Sequence, residues 1–267
     1  MLALIFPMID QVALQLGPVP IRWYSLAYVT GILLGWRFVL YLVKRPPHSL
    51  DRQDIDDFIV WATLGIILGG RLGYVLFYRP EFYFANPLNI LIVWQGGMSS
   101  HGGMLGMIVA TAIFARRRKT HWLAVGDLMV CAVPIGLFFG RIANFINGEL
   151  FGRVSDVSWA MVFPHGGPLP RHPSQLYEAG LEGLVLFIIT AWLALGTKAL
   201  ERRGLLSGVF FTGYGIARII VELFREPDAF LGFLAVGATM GQWLSLPVLI
   251  GGLWLIHYSR RSSAPPS

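Results

Sequence analysis

Seven apolar stretches, parted by polar or proline-broken connections, are each long enough to cross a bilayer, which takes about 20 residues. They run roughly Tyr24–Val43, Phe58–Tyr78, Gly96–Ala115, Ala124–Ile142, Ala179–Leu195, Leu206–Phe224 and Met240–Tyr258. The pattern predicts an all-α membrane protein, a bundle of about seven transmembrane helices. The third stretch opens on the polar, flexible Gly-Gly-Met-Ser-Ser-His-Gly-Gly of residues 96–103. Met1–Ile21 and Glu81–Trp94 are apolar or aromatic-rich but carry proline, so they are expected as interfacial helices on the outer face. Pro7, Asp10, Pro18 and Pro20 keep the first of these from spanning. With no basic n-region and no small-residue cleavage pattern, it does not read as a removable signal peptide.

Composition agrees. Of 267 residues, 55% are hydrophobic and only 13% charged, which excludes an ordinary soluble domain and fits one integral-membrane domain over residues 1–267. The net charge of +6 would suggest nucleic acid in a soluble protein. Here it follows topology instead, and no nucleic-acid partner is expected. The connections Lys44–Asp57, Arg116–His121 and Thr197–Gly204, with the tail from Ser259, hold twelve of the 21 Lys and Arg, against four in the opposite set. The positive-inside rule then puts the N-terminus outside and the C-terminus in the cytoplasm, with Arg116-Arg117-Arg118-Lys119 as an orientation signal. No internal repeat is evident. The single cysteine, Cys131, excludes an internal disulfide and lies mid-span, where it reads as a small buried hydrophobe.

Five arginines remain in or beside the spans. Arg22 and Arg37 lie near helix ends and can snorkel to the surface. Arg71, Arg141 and Arg218 all fall in the outer half of the membrane. Three guanidiniums in one layer repel unless an anion sits among them, either a ligand or the fixed carboxylates Glu149 and Glu222. Tyr214, Arg218, Glu222 and Arg225 recur at i, i+4, i+8 and i+11, one stripe of a helix facing away from lipid. An Arg218–Glu222 pair at i,i+4 would orient the guanidinium. His101 stands between glycine pairs at the outer start of the third span, and its imidazole titrates near neutral pH as a general base should. There is no G-x-S-x-G and no H-E-x-x-H, so neither a serine hydrolase nor a metal site is indicated, and no cofactor is implied.

Residues 140–153 read Gly-Arg-Ile-Ala-Asn-Phe-Ile-Asn-Gly-Glu-Leu-Phe-Gly-Arg. This stretch resembles the signature of the bacterial prolipoprotein diacylglyceryl transferases, G-R-x-G-N-F-I-N-x-E-x-x-G, with Ala143 in place of the usual Gly. The His101 segment, the stretch Tyr214–Arg225 with the following Pro227-Asp228, and Arg171-His-Pro-Ser-Gln-Leu-Tyr-Glu178 resemble the family too, so the matches cover nearly the whole chain. His172 and Gln175 in the last stretch are open to two readings, helix-start structure or substrate contact. Gly69-Gly-Arg-Leu-Gly-Tyr74 likewise fits either close helix packing or a lipid path.

The resemblance implies an enzyme of the bacterial cytoplasmic membrane, its site toward the outer half. It implies transfer of a diacylglyceryl group from phosphatidylglycerol to the lipobox cysteine of a preprolipoprotein, with release of glycerol 1-phosphate. It also implies catalytic roles for His101, Arg141, Arg218 and Tyr24. The base is His101 or Tyr24, and the arginines clamp the phosphate. Arg71, Asn144, Asn147, Glu149, Gly152, Tyr214, Glu222 and Arg225 would bind substrate. Loop proximity points to Glu149 as the carboxylate that orients Arg141, as spacing points to Glu222 for Arg218. A lipid or anion transporter with an outer-leaflet arginine site is the alternative.

Overall fold

The computed structural model describes residues 4–46, 50–93, 96–227, 234 and 237–261; for Ser100 and His101 the backbone alone is described. It is mostly helical. Five helices are long and apolar enough to cross a membrane: Trp23–Leu42, Arg52–Phe77, Trp122–Ile146, Ser174–Gly196 and Met240–Arg261. Leu205–Val221 is apolar but shorter, and Ser100–Arg117 occupies the place of the third stretch. Many large apolar side chains face outward, among them Leu105, Trp192 and Ile250, each more than 60% exposed. Water would not tolerate that surface, and lipid would.

The chain divides into two compact units, residues 43–126 and residues 1–42 with 127–267. The smaller unit is built on α2 (Arg52–Phe77), α3 (Pro80–Ala85), a 3-10 turn at Pro87–Leu91 and α4 (Ser100–Arg117). Asp51 caps α2 in a reciprocal box with Asp54, each side chain accepting the other's backbone N–H. Helices α2 and α4 touch along a stripe of small residues. A Cβ added at Gly69 would come within 2.7 Å of the Gly106 Cα, and one at Gly73 within 2.9 Å of the Gly102 Cα. Such backbone proximity brings dispersion contact that larger side chains would prevent.

The larger unit opens with strands where an interfacial helix was expected. β1 (Leu4–Ile5) pairs in parallel with β4 (Met161–Val162). β2 (Val12–Leu16) and β3 (Val19–Arg22) form an antiparallel hairpin with Leu16 opposite Val19. Pro18 and Pro20 lack the N–H a helix needs, and a two-residue Gly17-Pro18 turn reverses the chain instead. The segment after Glu81 is helical, as expected.

α1 (Trp23–Leu42) follows the hairpin and meets α5 (Trp122–Ile146) where a Cβ at Gly31 would lie 3.0 Å from the Gly136 Cα. Then α6 (Ser174–Glu178) widens into a π-helical turn, Ala179–Val185, and continues as α7 (Leu186–Gly196). α8 (Leu205–Val221) and α9 (Met240–Arg261) complete the unit. One buried carboxylate ties α5 to α8: Asp127 accepts from the backbone N–H of Gly204 at 2.6 Å, and from the N–H and hydroxyl of Ser207 at 2.7 Å each. It satisfies orphan donors at the start of α8 from another helix, where an anion also suits the helix dipole.

Candidate active site

Three helices bring six charged side chains together. The last turns of α5 supply Arg141, and the end of α6 with the π turn supplies Glu178 and Glu182. The end of α8 supplies Arg218 and Glu222, and the chain just beyond it Arg225. Glu178 is the hub. Its Oε2 lies 2.6 Å from Arg141 Nε, while its Oε1 lies 3.1 Å from Arg218 Nη1 and 2.9 Å from Arg225 Nη1. Glu182 makes longer contacts, 3.5 Å to Arg141 Nη2 and 3.5 Å to Arg218 Nη1. Glu222 holds Arg218 Nη2 at 2.6 Å, the i,i+4 pair expected from spacing, and accepts from Thr239 Oγ1 at 2.6 Å.

The carboxylates lie deeper than the guanidiniums. The side chains of Glu178 and Glu182 are 0% exposed, those of the three arginines 12–18%. Three positive and three negative groups balance, which is what lets six charges be buried together. With the carboxylates fully buried and the guanidiniums partly exposed, the accessible part of the cluster belongs to the arginines, groups that donate to anions. The π turn, which carries Glu182, is a rare backbone form that tends to mark functional sites.

The loop after α5 is stitched to the same elements. Asn144 Nδ2 donates to Glu149 Oε1 at 2.7 Å, with Asn147 Nδ2 at 3.4 Å from the same oxygen. Gln175 Nε2 donates to the Glu149 carbonyl at 2.6 Å, and Ser174 Oγ to the Leu150 carbonyl at 3.0 Å. Gly152 lies where three backbones converge: its N–H donates to the His172 carbonyl at 2.8 Å, and a Cβ there would sit 2.7 Å from His172 Cβ. Arg153 donates to the carbonyls of Glu222 and Arg225, at 2.9 Å each, and so closes the C-terminus of α8. Trp159 Nε1 donates to Tyr177 Oη at 2.6 Å, and that hydroxyl lies 3.0 Å from His172 Nδ1. Burial holds the His172 imidazole below its ordinary pKa.

Comparison with known proteins fits this arrangement. A family model described as prolipoprotein diacylglyceryl transferase matches residues 11–258. The chain belongs to that family. A phosphatidylglycerol–prolipoprotein diacylglyceryl transferase of Paramagnetospirillum magneticum is 62% identical over 263 residues, covering 98% of each chain. Proteins of the same name from Azospirillum brasilense and Rhodospirillum rubrum are 57% and 56% identical, covering 99% and 99%, and 97% and 96%, of this chain and their own.

For this member of the diacylglyceryl transferase family, the cluster unites Arg141, Arg218, Glu222 and Arg225 as the sequence suggested. Tyr214 sits one turn before Arg218 on α8, stacked on Phe210 at 6.0 Å. Tyr24 lies on α1 with its hydroxyl 3.4 Å from that of Tyr28, and Tyr28 is within electrostatic reach of Arg141. The expected Arg141–Glu149 pairing is corrected: Arg141 pairs with Glu178 and Glu182, while Glu149 is exposed and held by the two asparagines. Loop proximity pointed to Glu149, but carboxylates from another helix reach the guanidinium first. Sequence reasoning passed over Glu178 and Glu182, although two carboxylates four residues apart in an apolar span were a signal for them.

Arg71 has a different setting. It is 5% exposed, and its guanidinium donates to the carbonyls of Asn89, Ile90, Ile92, Gly96 and Gly97 at 2.5–3.1 Å, with the Tyr83 ring 5.0 Å from its Cζ. All five N–H donors are thereby committed to backbone, as in a strut rather than an open receptor. Helix–helix packing, one of the two readings of Gly69–Tyr74, is what the neighbouring glycines do. The His101 side chain and Asp228 lie outside the described residues. Gln175 is bonded to the loop at Glu149, and His172 to Tyr177 on α6.

Proposed function

We propose that the chain transfers the diacylglyceryl group of phosphatidylglycerol to the cysteine thiol of a prolipoprotein signal peptide, at the lipobox. The sulfur attacks the glyceryl carbon, the C–S bond forms, the C–O bond to phosphate breaks, and glycerol 1-phosphate leaves. The substrate brings its own nucleophile, which agrees with a buried Cys131 that donates only to the Asp127 carbonyl. The observation that carries the reading is the convergence of Arg141, Arg218 and Arg225 over fully buried carboxylates. Charge on the phosphate rises as the C–O bond breaks, so guanidiniums already fixed in place bind the transition state better than the lipid. Each is worth about 3–4 kcal/mol by comparison with oxyanion donors.

Asn144, Asn147 and Glu149 take the glycerol hydroxyls, Gly152 keeps their loop in place, and Tyr214 lines the same side as Arg218. Arg71 would serve substrate through the backbone it holds at residues 89, 90, 92, 96 and 97. The thiol proton goes to His101 or Tyr24, a step worth about 10²- to 10⁴-fold. The loop charges support seven spans with the N-terminus outside, hence a multi-pass protein of the bacterial cytoplasmic membrane with its site in the outer half. The family match includes both units, which supports one transferase domain. Mass spectrometry of a lipobox peptide, after incubation with the purified protein and phosphatidylglycerol, tests the whole reading. A diacylglyceryl gain on cysteine is expected, and an unmodified or cleaved peptide overturns it.

A further inference from the structure

A long groove runs along the α2–α4 pair. Its floor is glycine, with Gly65, Gly69 and Gly73 facing Gly102 and Gly106, and its volume is about 800 Å³. Its walls are leucines and β-branched residues such as Leu64, Leu68, Leu72, Leu105 and Val109, all 48–63% exposed. The glycines let the two backbones close together beneath the groove: a Cβ at Gly65, Gly69 or Gly106 would strike the facing helix.

Its dimensions limit what can lie in it. From Trp61 to Phe77 the helix rises roughly 24 Å at 1.5 Å per residue. The groove is open along its side, and its apolar walls suit an extended hydrocarbon chain. One leaflet's half of a core about 30 Å thick is about 15 Å, which takes such a chain from Trp61 to about Leu72.

The Trp61 end is basic. Arg117 lies with its Cζ 4.9 Å from the Trp61 ring centre, and Trp61 lines the groove. Arg118 is bound to Asp54, at 2.9 Å, and to Asp57. Arg116 and Arg117 are exposed and make no ion pair among the described residues. An apolar groove that ends at a guanidinium without an ion pair among the described residues suits an anionic lipid with its chain inside and its phosphate at the end.

We propose that the α2–α4 groove binds one acyl chain of an anionic glycerophospholipid whose phosphate rests on Arg117. In the orientation given above this lipid belongs to the cytoplasmic leaflet. The site is built from residues 61–117 alone and does not depend on the transfer reaction.

Native mass spectrometry of the full chain with phosphatidylserine and phosphatidylcholine of matched chains tests it. One phosphatidylserine is expected to be retained in preference. Arg117→Gln should lower that preference about fivefold, the worth of one interfacial arginine. Leu105→Trp, which puts an indole into the groove, should lower retention of both lipids, and Leu72→Trp repeats the test from the other wall. Equal retention of the two lipids by the wild type overturns the proposal. So does retention that survives Arg117→Gln and both tryptophan variants. If retention is instead lost in Arg141→Ala, the lipid sits on the arginine cluster and the groove site is wrong. Lipidation of a lipobox peptide by Arg117→Gln at the wild-type rate would leave the transfer reading intact in any of these cases.

Discussion

Glu178→Gln is the sharpest perturbation of the proposed phosphate clamp, because it keeps the shape and removes one charge. Three guanidiniums lean on this carboxylate, at 2.6, 3.1 and 2.9 Å. A glutamine oxygen can still accept from two of them, but its NH₂ would face the Arg141 Nε donor. The cluster is left with one excess positive charge and one donor set against another. Breaking a buried pair by removing one partner costs about 3–5 kcal/mol. If about 3 kcal/mol of that appears as lost orientation of the arginines, kcat/KM falls on the order of 10²-fold. Glu182→Gln serves as the internal comparison. Its contacts are 3.5 Å to each arginine, so the expected loss is nearer fivefold, about 1 kcal/mol. Steady-state lipidation of a lipobox peptide in phosphatidylglycerol nanodiscs reads both variants, and thermal melting in the same discs separates lost activity from lost folding. Equal losses in the two variants would refute the hub role, as would near-wild-type turnover in Glu178→Gln.

Arg141→Lys and Arg218→Lys keep charge but lose the two-pronged geometry, so each should cut turnover strongly; the double variant should be little worse than the poorer single one, since members of one clamp are non-additive. Clean multiplication of the two losses would mean separate roles. Cys131→Ser should keep most activity, because a hydroxyl can donate to the Asp127 carbonyl as the thiol does at 3.2 Å; loss of turnover in a stably expressed protein would contradict a purely structural cysteine. In that background, Leu169→Cys, in an exposed loop, should react with an impermeant thiol reagent in intact cells, and protection until lysis would reverse the proposed orientation. Asp127→Asn should destabilise the fold by about 2–3 kcal/mol, read as a lower melting temperature, because an amide cannot accept from both Gly204 and Ser207 with the strength of a carboxylate; an unchanged melt would show that the cap at the start of α8 contributes nothing.

Hydrophobic run length made the helices legible, because a span must be apolar over its whole length whatever its neighbours do. Spacing made Arg218–Glu222 legible, since i,i+4 is a local property of one helix. The Arg141 partners were not legible in that way. They come from a helix about 40 residues further on, and only packing decides which carboxylate arrives. Arg71 was hard to read for a related reason: an arginine in a span announces a need for acceptors, and here backbone carbonyls of residues 89, 90, 92, 96 and 97 meet it. The N-terminal strands were hidden because proline excludes a helix without specifying what replaces it, and β1 finds its partner at Met161–Val162, far along the chain.

In the proposed phosphate clamp, the depth order explains why carboxylates serve a site for an anion. Without them, three converging guanidiniums would repel and turn toward solvent, and lipid binding would have to gather them again. Fixed carboxylates do that work during folding, so the arginines meet the phosphate already oriented. The cost is partial neutralisation of the field the phosphate feels. That cost weighs most on the singly charged diester in the ground state and is offset as the leaving phosphate gains its second negative charge, for which each donor is already in position. A neutral but layered cluster therefore favours the departing group over the bound lipid, which is the difference a catalyst needs.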